Sequence, residues 1–250
     1  MTKFAIIGAG VSGLSAARRI LAQQPDADVT SFDKSRGVGG RMSTRYAGDY
    51  EFDHGAQYFT VSDTDFAAEI SRAESAGAAA RWSGRALYLQ SDALTEDTGH
   101  PRYVGAPRMN SLPKFWAEGL TVELGQRVTT LTRDNGQWDL AFENGAKATG
   151  YDRIICTLPP EQARLLLPAK SSLLPTTETA QMSACFALMI GLASPIDTGW
   201  DSLRINDLPA CWIAVNHAKP GRSQTVGTIV VHSAPEWSDI HAEADRNWVA

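Results

Sequence analysis

Cysteine is scarce in this chain of 250 residues: Cys156, Cys185 and Cys211 stand far apart, with no CxxC pair and no spacing that would hold a metal. A disulfide framework is thereby excluded. An odd number of thiols in apolar, strand-like runs reads as buried free cysteine in a reducing compartment, the cytoplasm. An excess of positive charge is also missing. Lys and Arg total 23 against 28 Asp and Glu, for a net charge of −5, so the chain has no basic footprint with which to hold nucleic acid or an anionic membrane surface. No run approaches the roughly 20 apolar residues of a membrane span. Lys3 ahead of an apolar stretch resembles a leader, but the regularly spaced glycines within that stretch explain it better. No cluster of residues stands out as a nucleophilic or metal-dependent catalytic centre. What is present is a hydrophobic share of 43%, enough to fill a core over a length that suits one large or two medium domains.

The first forty-five residues carry the strongest signal. The short apolar stretch Lys3–Ile7 runs into Gly8-Ala9-Gly10-Val11-Ser12-Gly13, and helical spacing of Leu14, Ala17, Ile20 and Leu21 follows. A glycine turn of this kind lets backbone approach a pyrophosphate, and the unpaired N–H groups of Val11, Ser12 and Gly13 at the helix start stabilise its charge. Asp33 lies twenty residues beyond Gly13, at the end of a second apolar run, where a carboxylate accepts hydrogen bonds from an adenosine ribose. It disfavours a 2′-phosphate by like charge, although Lys34 and Arg36 leave NADP open. Gly39-Gly40-Arg41 follows, a flat loop with a forked guanidinium for phosphate oxygens, and FAD is favoured over either nicotinamide cofactor by what this loop and residues 53–60 resemble.

The GGR turn followed by Asp53-His54-Gly55-Ala56-Gln57-Tyr58-Phe59-Thr60 resembles the glutathione-reductase-2 group of flavoproteins, which includes the amine oxidases, and within it the renalase-like FAD-dependent oxidoreductases. Looser matches follow in order at Arg102-Tyr103-Val104-Gly105, at residues 154–159, at Trp212 to Asn216 with Lys219-Pro220, and at Val230-Val231-His232. The resemblance implies that Gly40 and Arg41 lie along the pyrophosphate and that Ala56 and Gln57 approach the flavin ring. It also implies that Val128 passes the adenine through its backbone and that Thr157 ends a strand beside the cofactor. Core packing and a plain strand end are the alternative readings of Val128 and Thr157.

The expected fold is α/β: a Rossmann-like FAD-binding domain with a β-meander, and an interleaved α+β substrate domain with a mixed or antiparallel sheet. Residues 1–72 and 108–168 are assigned to the first, residues 73–107 and 169–250 to the second. Helical spacing predicts a helix over 63–80, and alternation predicts a strand over 82–90. Strand-like runs at 121–124, 127–132, 138–142 and 153–157 are punctuated by Asn135-Gly136 and Asn144-Gly145, both hairpin signals. Further strands are predicted over 186–192, 212–215 and 226–232.

If the resemblance holds, the protein takes a hydride from a small reduced substrate, a dihydronicotinamide isomer of NAD(P), to FAD, with dioxygen as electron acceptor and hydrogen peroxide as product. Gln57 and Tyr58 beside the ring, and Trp212, Asn216 and His232 on a covering sheet, are the candidate catalytic residues. Structural roles compete with this, since a lone strand histidine is usually a hydrogen-bonded residue and a tryptophan usually core. An amine oxidase is the second reading. The third is of a different class: the chain lacks the closing strand and Gly-Asp segment that the family places last. Its final residues read as one amphipathic helix with Trp237, Ile240, His241, Ala244 and Trp248 on a face. That suggests a fragment, or a truncated dinucleotide-binding module without catalysis.

Overall fold

The structure, a computed structural model, describes residues 1–249. Its contacts divide the chain into two units, residues 1–41 with 113–182, and residues 42–112 with 183–250.

The first unit is built on a four-stranded sheet in the order Thr121–Leu124, Asp28–Asp33, Lys3–Ile7, Arg153–Cys156, with every pair parallel. Parallel strands need both faces covered, and the period-2 alternation of Lys3–Ile7 shows how. Ile6 packs with Ala17 and Val29, against Phe4, Ile20 and Leu21, under the helix Val11–Gln23. Ala5 and Ile7 point the other way, into a core with Phe32, Val128, Leu140, Phe142 and Tyr151. That second cover is a meander of Val128–Asp134, Gln137–Phe142 and Lys147–Tyr151. The Asn135-Gly136 turn closes its first hairpin, with Asp134 opposite Gln137.

The second unit holds a six-stranded sheet in the order Ala187–Leu192, Gly227–Ser233, Ala210–Val215, Ser202–Ile205, Ala86–Gln90, Ala93–Glu96. All its pairs are antiparallel except Ser202–Ile205 with Ala86–Gln90. Beside it are a three-stranded sheet of Phe59–Thr60, Arg102–Gly105 and Ala79–Trp82, and the hairpin Arg45–Ala47 with Tyr50–Phe52. The fold is thus α/β, a Rossmann-like domain with a meander together with a mixed, mainly antiparallel sheet.

Local readings differ at three places. The helix expected over 63–80 spans Thr64–Ser75, capped by the Asp63 carboxylate on the Phe66 amide. It stops because the Ala76 and Gly77 amides turn back onto the Arg72 and Glu74 carbonyls, which frees Ala79–Trp82 to become a strand. The single strand expected over 82–90 is consequently two. The one C-terminal helix is also two, Pro235–Ile240 and Arg246–Val249; Asp245 accepts from the Asn247 amide and starts the second. Trp237, His241 and Trp248 still stack on one another, whereas Ile240 is exposed and Ala250 lies outside the described residues. Residues 42–72, assigned from sequence to the FAD-binding domain, fall in the second unit. Phe59–Thr60 pairs there with Arg102–Gly105, and Tyr50–Phe52 packs beside Gly227–Ser233.

Leu140, 1% exposed at the centre of the meander core, tests the packing. Leu140→Ala is expected to cost about 2–5 kcal/mol, measured as a lower urea midpoint at unchanged slope.

Candidate functional site

Of the residues singled out for FAD, those of the glycine turn, Asp33, Lys34, Gly40, Arg41, Val128 and Thr157 belong to the first unit, whereas Ala56 and Gln57 belong to the second. Gly8 leaves the strand with its amide on the Phe32 carbonyl, and the Leu14 amide makes the first helical bond, to Gly10. The amides of Val11, Ser12 and Gly13 therefore have no intrahelical partner, and neither a capping side chain nor an acidic first-turn residue occupies that end. A Cβ on Gly13 would collide with the Gly8 carbonyl oxygen, and one on Gly40 would stand 3.2 Å from the Gly10 Cα. The GGR loop is strapped to the turn by the Gly39 amide on the Ala9 carbonyl. Unfilled amides beside backbone too close-set for side chains suit a pyrophosphate.

Asp33 is used twice. Its Oδ2 accepts from the Ala9 amide at 2.7 Å and its Oδ1 from the Ser35 amide at 2.8 Å, so the carboxylate first shapes the turn. A carboxylate has about four acceptor sites, which leaves two for ribose hydroxyls. Thr157 acts as a brace: its hydroxyl lies 3.0 Å from the Ile7 carbonyl and 3.3 Å from that of Gly8. Val128 is core, its side chain packed in the meander cluster and its backbone paired opposite Phe142. Lys34 donates to Gln162 at 2.9 Å, while Arg41 is exposed with no ion-pair partner among the described residues.

The second unit gathers Gln57, Tyr58, Trp212 and His232 around a carboxylate that sequence reasoning did not select, Asp53. Asp53 is 1% exposed. Its Oδ1 accepts from the Thr44 hydroxyl at 2.7 Å and the Met109 amide at 3.0 Å. Its Oδ2 meets the Arg222 guanidinium and lies 3.6 Å from the Lys219 ammonium. Burial pushes this carboxyl up, but the charges of Lys219 and Arg222 and the bonds from Arg222 and Thr44 outweigh it and hold the group below the usual carboxylate range. With three hydrogen bonds and a second cation beside it, and its pKa lowered, Asp53 is an anchor and not a proton acceptor.

Lys219 is the largest fully buried side chain among the described residues, 1% exposed. Burial lowers its pKa to about 8, helped by Arg222 and opposed by Asp53. It donates to Gln57 Oε1 at 3.1 Å, which fixes the amide so that Gln57 Nε2 faces the Asp53 and Gly55 carbonyls. His232 Nε2 lies 3.0 Å from the His54 carbonyl oxygen, a contact that needs a protonated Nε2 and leaves the lone pair of the neutral ring on Nδ1. Its 3.3 Å approach to Gln57 Nε2 is then packing, since both amide hydrogens are spent. Burial lowers the His232 pKa, opposed by the bond to the His54 carbonyl and aided by the Lys219 charge, and so favours the neutral ring. Tyr58 packs on Trp212 with ring centroids 5.2 Å apart, and Ala56 is half-buried. Asn216 stands apart in role. Its Nδ2 donates to the Glu51 carbonyl at 2.9 Å and its Oδ1 receives the Asp53 amide at 3.3 Å, so the side chain is a clamp on backbone.

Asp53 and Lys219 were visible only as letters within quoted matches. A lysine in a Pro-Gly loop reads as solvated, and nothing in its neighbours announces full burial. Among the described residues no group of His, Cys, Asp and Glu is arranged to hold a metal ion, and no helix is long and apolar enough to cross a membrane.

Two measurements test this charge arrangement. Asp53→Asn leaves two buried cations without their counter-ion and is expected to cost about 3–5 kcal/mol, read by urea unfolding at pH 7. Lys219 titrates near 8 when folded and near 10.5 when unfolded. Between those values the unfolded chain holds the extra proton, so this group makes stability rise with pH. Unfolding free energies from pH 7.5 to 10.5 should show that rise in the wild type and a flatter profile in Lys219→Met.

Comparison with known proteins places this geometry. Residues 6–70 match an NAD(P)-binding Rossmann-like domain family, and residues 75–239 match the flavin containing amine oxidoreductase family. Over 61 residues, 24% of this chain, there is 44% identity to 4,4′-diapophytoene desaturase (4,4′-diaponeurosporene-forming) of Staphylococcus aureus strain Newman. That match spans only 12% of the desaturase's length. Putrescine oxidase, bound to putrescine, superposes with a TM-score of 0.72 at 14% identity, covering 99% of this chain and 78% of that one. Reduced UDP-galactopyranose mutase does so at 0.76 and 11% identity, covering 97% and 77%. At such identities the structural likeness is one of fold. The second family match takes in more than half of the sequence, and on that ground the chain belongs to the flavin containing amine oxidoreductase family, with FAD as its cofactor.

Proposed function

We propose that this chain is an FAD-dependent oxidoreductase of renalase-like type that takes a hydride from a small reduced substrate, a dihydronicotinamide isomer of NAD(P). Dioxygen is the final electron acceptor and hydrogen peroxide the product. FAD supplies the two-electron acceptor chemistry when bound. The dinucleotide is held by the amides of Val11, Ser12 and Gly13, the remaining acceptor sites of Asp33, and Arg41. The second unit supplies the substrate-binding residues.

The observation that carries this reading is the commitment of Asp53. Its three hydrogen-bond donors and the Lys219 ammonium 3.6 Å away are all protein groups, which hold the carboxyl ionised and below the usual carboxylate range. A simple amine arrives protonated at neutral pH and must lose that proton before oxidation; a dihydronicotinamide is already disposed to release hydride and needs no strong base. His232, neutral with a lone pair on Nδ1, orients a polar group without having to remove a proton. Gln57, fixed by Lys219, and the Tyr58–Trp212 pair position the substrate. Three free thiols accord with a reducing compartment, the cytoplasm.

Amine oxidation is the second reading, favoured by the family match itself. A dinucleotide-binding module without catalysis is the third. Purification separates the third from the others, since protein with a flavin absorption band supports an enzyme and a colourless preparation that FAD does not reconstitute defeats one. Gly13→Ala, whose Cβ meets the Gly8 carbonyl, is expected to abolish FAD retention. Anaerobic flavin reduction then decides between the oxidases: dihydronicotinamide isomers are expected to bleach the flavin band faster than a panel of primary amines, and the reverse order would establish the amine oxidase.

A further inference from the structure

The six-stranded sheet of the second unit ends in two edges of opposite character. One is Ala93–Glu96, four exposed residues flanked by Asp92 and Asp97, with Glu96 paired to Arg85 at 2.8 Å. A short strand ringed by charge is a guarded edge, because it repels a further strand. The other edge is Ala187–Leu192. No Asp, Glu, Lys or Arg lies between Glu178 and Asp197, in a chain that is 20% charged overall. Neither a proline nor a bulge interrupts the pairing of this strand with Gly227–Ser233.

The register shows which peptide groups the open edge presents. The Ser233 amide donates to the Phe186 carbonyl at 3.1 Å, so those two residues form a hydrogen-bonded pair. Hydrogen-bonded and non-hydrogen-bonded pairs alternate along an antiparallel ladder. Leu188, Ile190 and Leu192 therefore bond inward, to Val231, Ile229 and Gly227, while the N–H and C=O groups of Ala187, Met189 and Gly191 point away from the sheet. Among the described residues those outward groups have no hydrogen-bond partner. Leu188 is 38% exposed and Gly191 is exposed, so the edge is open to solvent.

Self-pairing suits this strand. A second copy turned antiparallel about Met189 sets Ala187 opposite Gly191 and Leu188 opposite Ile190, so small meets small and branched aliphatic meets branched aliphatic. The same register brings all three outward residues into hydrogen-bonded pairs. With no charge on the strand, identical copies do not repel one another. Once two copies have joined, only the guarded Ala93–Glu96 edges remain, and the assembly closes at a dimer.

We propose that Ala187–Leu192 is the surface at which two copies of this chain join, antiparallel about a two-fold axis at Met189, with their sheets continued into one. One strand pair is a small contact, so monomer and dimer exchange reversibly. The proposal is independent of the reaction catalysed.

Sedimentation velocity of the full chain over roughly 1 to 300 µM tests it. The wild type is expected to pass from monomer to dimer mass with no larger species. Met189→Pro removes an N–H that the intramolecular ladder does not use. That variant is expected to stay monomeric with an unchanged far-ultraviolet circular dichroism spectrum. Leu188→Lys puts a charge against Ile190 of the second copy, twice per dimer, and is expected to weaken association by about tenfold or more. If Met189→Pro does not fold, Leu188→Lys decides. Leu94→Lys, on the guarded edge where Leu94 is 58% exposed, is expected to leave association unchanged. A wild type that stays monomeric, association that survives Leu188→Lys, an equal loss in Leu94→Lys, or mass that keeps growing past the dimer would each overturn the proposal.

Discussion

A carboxylate removed from water holds its charge only if it is paired and hydrogen-bonded, and Asp53 meets that condition with three hydrogen bonds and two cations drawn from distant parts of the chain. Thr44, the Met109 amide and the Lys219–Arg222 loop converge on it, so their positions are fixed by one ion. Lys219, once placed, orients Gln57, and Gln57 in turn borders His232. The Asn216 clamp holds the backbone on either side of the acid through the Asp53 amide and the Glu51 carbonyl. Two cations stand around one anion, and burial, aided by Arg222 and opposed by Asp53, depresses the Lys219 pKa.

The dinucleotide half obeys the same logic with backbone groups in place of side chains. Three helix-start amides are left without partners, and glycines keep the surrounding backbone bare. The neighbours are spent on stiffening the turn: Asp33 grips the Ala9 amide, Thr157 grips the Ile7 and Gly8 carbonyls, and Gly39 straps the GGR loop to Ala9. A turn made rigid in this way loses little entropy when an anion arrives.

Much of the architecture could be read in advance because its causes are local. Period-2 alternation over Lys3–Ile7, helical spacing after Gly13 and the Asn135-Gly136 turn each specify conformation within a few residues. Errors appeared where a local rule met a competing contact. The helix ending at Ser75 yields to backbone bonds at Ala76 and Gly77, and the C-terminal helix is divided where Asp245 offers a new cap. Among the candidate residues, Gln57, Tyr58, Trp212 and His232 do converge, whereas the side chain of Asn216 is turned to backbone.

The amino-acid sequence by itself determined the glycine turn, the carboxylate that follows it, the doubled glycine before Arg41 and the strand and hairpin pattern, because short-range sterics and hydrogen bonding govern all of these. Only the tertiary structure decided that Lys219 is buried, that Asp53 is held out of water between two cations, and that two tryptophan N–H groups lie unpaired. Burial and electrostatics depend on which segments meet in space, and Thr44, Asp53, Trp82, Arg102, Trp212 and Lys219 meet only after the chain has folded.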